Sequence, residues 1–227
     1  MARGNPSTGT CSYCGKETAK GSMAKHLTAC PERRALIDRS ERKKGAREVL
    51  YHLRVRDAGR SEFWLDLEMR GSSSLKELDY YLRGIWLECC GHMSQFSVGG
   101  WRGDEIPMSR RIGQVFRTGM ELTHIYDFGT SSNTLIKAVA TREGNPLTAH
   151  PVALMARNAM PKSECIECEQ PAAWLCMECL IEDNEWGALC DEHAKTHPHD
   201  NYDEPVRLVN SPRLGKCGYD GPAEPPY

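Results

Sequence analysis

Cys11, Cys14, His26 and Cys30 follow the spacing Cys-x2-Cys-x11-His-x3-Cys. Thiolate sulfur and imidazole nitrogen are donors that zinc takes readily, and four of them close a tetrahedron with no position left for a substrate. The first pair, with Gly15 directly behind it, suits a tight knuckle. His26 and Cys30 are four apart, so on a helix they face the same way, and Met23 and Leu27 supply the apolar side that such a helix would bury. A longer run follows near the other end: Cys165-x2-Cys168-x7-Cys176-x2-Cys179-x10-Cys190-x2-His193-x3-His197-x1-His199. Eight donors in four successive pairs call for two ions. Interleaved pairing puts Cys165, Cys168, Cys190 and His193 on one ion. It puts Cys176, Cys179, His197 and His199 on the other, with Asp200 or Cys217 as alternatives for the last donor. The expectation is three structural zinc ions.

The same 11 cysteines in 227 residues could instead form disulfides. Small disulfide scaffolds are exported, whereas Met1-Ala2-Arg3 leads into polar sequence, and no run approaches the length of a membrane span. A cytoplasmic protein with no membrane partner is expected, and metal explains the Cys-x2-Cys pairs better than cross-links do.

Charge is graded along the chain. Residues 1–48 carry 11 basic and 5 acidic side chains, a charge of +6, while residues 162–227 carry 5 and 14, a charge of −9. A phosphate-binding surface, DNA or RNA, therefore belongs at the N-terminus, and the acidic end suits a protein partner. Lys25, Arg33, Arg34, Arg42, Lys43 and Lys44 are the candidate nucleic-acid contacts, most of them on a charged helix or linker after Pro31. A solvated connector explains the same charges without a ligand.

These sites need elements to position them. Residues 1–47 read as the finger plus its basic helix or linker, 48–145 as a central α+β domain, 146–161 as a linker, and 162–227 as the two-ion module with a docked tail. In the central part, Val49–Arg56 alternates as a strand, Asp57–Arg60 turns, and Glu62–Met69 returns as a hairpin partner. Ser74 and Glu77 form a capping box ahead of Leu75, Leu78, Leu82, Ile85 and Trp86 at helical spacing. Further strands are expected at 93–98, 119–127 and 133–141. The fold class expected is α+β, a mostly antiparallel sheet with one main helix, flanked by two small zinc-binding modules.

The stretches Tyr51-His52-Leu53-Arg54-Val55, Leu75-Lys76-Glu77-Leu78, His92-Met93-Ser94-Gln95-Phe96 and Tyr126-Asp127-Phe128-Gly129 resemble the Ri-plasmid ORF-3-like family. That family includes resolvase-labelled passenger proteins of insertion elements. The resemblance implies a compact α+β domain, sometimes with appended zinc modules, in a mobile element or similar prokaryotic locus. The family usually continues the Tyr-Asp-Phe-Gly block with an acidic residue and a tryptophan; Thr130 and Ser132 stand there in this chain. The C-terminal ligand run resembles the B-box, a cross-brace zinc module that generally acts in protein contact. Its gap before Cys190 is longer than usual and its closing His197-Pro198-His199 tighter.

Catalytic residues are not expected. A serine resolvase needs an activated serine among arginines, and Ser109-Arg110-Arg111 reads as a basic loop. His92, His124 and Asp127 could form an acid–base set, but structural roles fit them better, with Asp127 bonding to backbone in the turn opened by Gly129. Cys89 and Cys90 are expected to be buried. The function expected is a non-enzymatic zinc-binding adaptor contacting nucleic acid at one end and protein at the other. The alternatives are a pure protein scaffold and an enzyme with its site in the central domain.

Overall fold

The computed structural model describes residues 7–42, 44–199 and 201–227. A hairpin of β1 (Thr8–Cys11) and β2 (Glu17–Ala19) opens it, followed by helices α1 (Lys20–Ala29) and α2 (Pro31–Glu41). The central hairpin is β3 (Glu48–Asp57) and β4 (Trp64–Arg70). Helix α3 (Leu75–Leu82) follows, capped by reciprocal bonds between Ser74 and Glu77 and prolonged by a π-helical turn over Arg83–Leu87. Then come β5 (Ser94–Val98), β6 (Asp104–Ile106), β7 (Glu121–Tyr126), β8 (Ser132–Gly144) and β9 (Val152–Asn158). These nine strands form one sheet in the order β2-β1-β9-β4-β3-β8-β7-β5-β6, with antiparallel neighbours throughout. The α+β class, its antiparallel sheet and its capped main helix are as expected.

Two placements depart from expectation. The stretch 146–161 is not a free linker, because β9 within it pairs with β4 on one side and β1 on the other. Its sequence, Val-Ala-Leu-Met-Ala-Arg-Asn, has few β-branched residues; strand partners on both edges override that weak preference. The N-terminal finger is likewise not detached, since Gly9, Thr10 and Cys11 pair with Asn158, Arg157 and Ala156.

Strand β4 explains how the finger is seated. Alternate residues of a strand face opposite sides of the sheet. Leu65, Leu67 and Met69 lie in the main core with Leu78, Leu82, Ile85 and Trp86. Trp64 belongs to a second apolar cluster with Cys11, Met23, Leu27 and Cys30. Between them on that side sit two buried carboxylates. Asp66 takes a bidentate bond from Arg54 (2.7 and 2.8 Å) and contacts His52 at 2.7 Å. Glu68 takes Arg142 at 2.6 and 2.9 Å and Arg33 at 2.9 Å.

The Glu68 pair ties α2 to β8, so removing its charge should be felt. Burial raises the carboxyl's pKa, but the Arg142 and Arg33 guanidiniums outweigh it and hold the value below the usual 4.5. Glu68→Gln leaves two arginines without their partner and should cost about 3 kcal/mol at pH 7, since breaking a buried pair costs several kcal/mol. A depressed carboxyl stabilises above its unfolded pKa and loses that contribution as pH falls through the folded value. The gap in urea midpoint between wild type and Glu68→Gln should therefore be constant above about pH 4.5 and narrow below it.

A second, small sheet is built from β10 (Trp174–Leu175), β11 (Ala188–Leu189) and β12 (Val206–Arg207), with β10 in the centre. The following tail packs against the π-helical turn and the β7–β8 turn, burying Ser211, Arg213, Leu214 and Tyr219. Among the described residues no helix is long and apolar enough to cross a membrane.

Candidate metal centres

Around a tetrahedral ion with sulfur at about 2.3 Å and nitrogen at about 2.0 Å, sulfurs stand about 3.8 Å apart and sulfur and nitrogen about 3.5 Å. Those edge lengths recur at all three expected sites. Cys11, Cys14, His26 and Cys30 bring their donor atoms within 4.8 Å of one another, with Cys14 Sγ 3.4 Å from His26 Nε2. The β1–β2 hairpin holds the first two cysteines, and Gly15 takes φ +70°, a left-handed conformation that favours glycine, as its N–H bonds back to the Cys11 carbonyl. His26 lies on α1, whereas Cys30 is the extended residue between α1 and α2. Met23 and Leu27 are buried, as the spacing required.

The C-terminal eight divide as the interleaved pairing predicts. Cys165, Cys168, Cys190 and His193 form one cluster, and Cys176, Cys179, His197 and His199 the other. In the first, Cys165 Sγ is 3.3 Å from His193 Nδ1 and Cys168 Sγ is 3.8 Å from Cys190 Sγ. In the second, Cys179 Sγ lies 3.2 Å from both His197 Nε2 and His199 Nδ1. Among the described residues His199 completes the second cluster; Asp200 lies outside them, and Cys217 stands with another group.

The ligand thiols are perturbed in both directions. Burial opposes ionisation of Cys165, but backbone N–H groups of the knuckle and the His193 ring hold it down to about 6. Cys179 is pushed up to about 12 by burial and by the neighbouring Cys176 sulfur. Sulfurs crowded this closely repel as anions until a metal ion neutralises them.

One supporting residue escaped the sequence reading. Glu167, inside the first knuckle, contacts His197 Nδ1 at 2.7 Å and lies 4.0 Å from His193 Nε2. These are the nitrogens facing away from the clusters. A carboxylate there fixes the ring orientation of a ligating histidine, so Glu167 braces His197 by a hydrogen bond and stands near His193 without one. Glu followed by Cys is too common a pair to have signalled this.

A fourth group was not expected at all: Cys89, Cys90, His92 and Cys217 also bring their donor atoms within 4.8 Å of one another. The count of metal-competent clusters among the described residues is therefore four, not three. Cys90 is exposed and Cys89 only half-buried, contrary to the burial expected of both. Nearness in sequence hinted at Cys89, Cys90 and His92, but Cys217 is 125 residues from His92 and carries no local signal.

The acid–base set divides: His92 Nε2 lies 3.5 Å from Asp127 Oδ2, while His124 pairs elsewhere. His124 is buried against Asp79 at 2.7 Å. Asp127 sits at φ +64°, bonded through Oδ1 to the N–H groups of Gly129 and Thr130 and through Oδ2 to Arg213. Of the candidate nucleic-acid contacts, Arg33 is spent on Glu68, with only 12% of its side chain exposed. Lys25, Arg34, Arg42 and Lys44 are exposed, and Lys43 lies outside the described residues.

No family model and no curated protein matches the chain. Among solved structures, a protein of unknown function from Methanosarcina mazei Go1 is similar at 15% identity and a TM-score of 0.39. The similarity covers 46% of this chain and 66% of that one.

Proposed function

We propose that the chain is a non-enzymatic zinc-binding adaptor of a mobile element or similar prokaryotic locus, its central sheet of the ORF-3-like kind. Its basic N-terminal module contacts nucleic acid and its acidic C-terminal module contacts protein. The observation that carries this reading is the completeness of the donor sets. At each expected site four protein side chains already converge at tetrahedral spacing, leaving no open position of the kind that metal-assisted hydrolysis requires.

Lys25 on α1, Arg34 on α2, and Arg42 and Lys44 just beyond it supply exposed positive charge beside the first cluster. At the other end, Ile166 and Ile181 are about half exposed among acidic neighbours, a mixed surface suited to a protein partner.

Fluorescence anisotropy with duplex DNA and hairpin RNA tests the nucleic-acid half. Binding is expected at about 50 mM salt, and its logarithm should fall linearly with that of salt toward about 200 mM. The reversal Lys25→Glu/Arg34→Glu/Arg42→Glu/Lys44→Glu should flatten that slope by roughly one for each phosphate that is no longer neutralised. No binding of either nucleic acid at the lowest salt would overturn this half and leave a protein scaffold.

A further inference from the structure

Cys89 and Cys90 follow the π-helical turn, His92 precedes β5, and Cys217 arrives from the docked tail. The contacts among them are Cys89–Cys90 at 3.5 Å, Cys90–Cys217 at 3.6 Å, His92 Nε2–Cys217 at 3.2 Å and His92 Nε2–Cys90 at 2.8 Å. All but the last are close to the edges of a tetrahedron around a thiolate-bound ion. A disulfide between Cys90 and Cys217 would use two of the four donors, whereas one cation uses all four.

Two independent features agree. The backbone behind the cysteines repeats the knuckle of two of the other sites: Gly91 and Gly218 take φ +74° and +69°, as Gly15 takes +70° behind Cys14 and Glu169 +60° behind Cys168. Cys217 itself is left-handed at φ +50°. A non-glycine residue adopts that conformation only where its surroundings impose it. The second is a donor to sulfur: Arg213, fully buried and paired with Asp127 Oδ2, also donates to Cys89 Sγ at 3.3 Å. A donor to a metal-bound thiolate is the outer contact that tunes such sites.

We propose that Cys89, Cys90, His92 and Cys217 form a fourth binding site, for a thiophilic divalent cation such as zinc, that fastens the C-terminal tail to the central sheet and is the most readily emptied in the chain. Each of the other clusters contains at least two buried cysteines, while this one contains none, and Cys90 and Cys217 are exposed. A chelator reaches exposed donors first.

The claim goes beyond the three modules of the adaptor reading and is tested separately from it. Full-length chain, produced with zinc and kept reduced, is measured by native mass spectrometry beside Cys90→Ser/Cys217→Ser. Both cysteines are exposed, so this variant is expected to fold. Wild type should hold one zinc more than the variant. In wild type titrated with a chelator, the first zinc released should expose Cys89, Cys90 and Cys217 to iodoacetamide while the other eight cysteines stay protected. Equal zinc in the two proteins overturns the proposal, as does a Cys90–Cys217 disulfide in the reduced protein or alkylation of other cysteines first. Loss of zinc from the other eight cysteines alone would count against the adaptor reading and leave this one standing.

Discussion

Cys179→Ser should remove one metal ion and unfold most of the C-terminal module while the central sheet persists. The physical reason is the composition of that module's core. Its buried residues, among those described, are Cys165, Cys176, Cys179 and Cys190 with only Leu175, Ala188 and Leu189 beside them, and its strands are two residues long. Most of that core is the metal ligands themselves. Structural zinc contributes about 10–16 kcal/mol apparent in small fingers, and a segment this size has little apolar burial to replace it. Cys179 also contacts both histidines of its cluster, so serine there loses the sulfur nearest to each. Limited proteolysis should open new cleavage sites between about residues 162 and 207, and metal analysis should fall by one per chain.

The N-terminal finger should respond differently. His26→Ala removes a ligand there too, but Met23, Leu27, Trp64, Met155 and Ala156 surround the cysteines, and β1 remains hydrogen-bonded to β9. Metal should be lost with β1 and α1 still docked. Equal proteolytic sensitivity of the two variants would show that both modules depend on metal alike, against the packing argument.

The second large effect is expected at Arg213. Its guanidinium is fully buried and bonds to Asp127 Oδ2 at 2.7 Å, the Thr130 carbonyl at 2.9 Å and Ser132 Oγ at 3.0 Å. It also stacks over the Tyr126 ring at 4.7 Å. Arg213→Met keeps much of the volume but strands the Asp127 carboxylate, which is 4% exposed, and should cost about 3–5 kcal/mol. Asp127 is held ionised because Arg213 and the N–H groups of Gly129 and Thr130 outweigh its burial. Adding Asp127→Asn to Arg213→Met should therefore recover part of the loss, and a double-mutant cycle on urea midpoints measures the coupling. Arg213→Lys should not rescue, because a single ammonium cannot reproduce the planar fork. If Arg213→Met were neutral, the tail would not be anchored through this pair.

What the sequence determined was what neighbouring residues decide among themselves. A Cys-x2-Cys knuckle, the interleaving of Cys165 to His199, and the Ser74–Glu77 cap all lie within a few turns of backbone, where spacing dictates direction. The β3–β4 hairpin and the periodic face of α3 were legible for the same reason. The tertiary structure decided everything that depends on a partner distant in the chain. It made a strand of Val152–Asn158 by offering edges on both sides. It turned Arg33 from a free cation into the partner of Glu68. It also carried Cys217 to Cys89, Cys90 and His92, because burying Ser211, Arg213 and Leu214 lays the tail across the end of α3 and its π-helical turn. Such a contact is set by packing over the whole sheet, and no local spacing of residues encodes it.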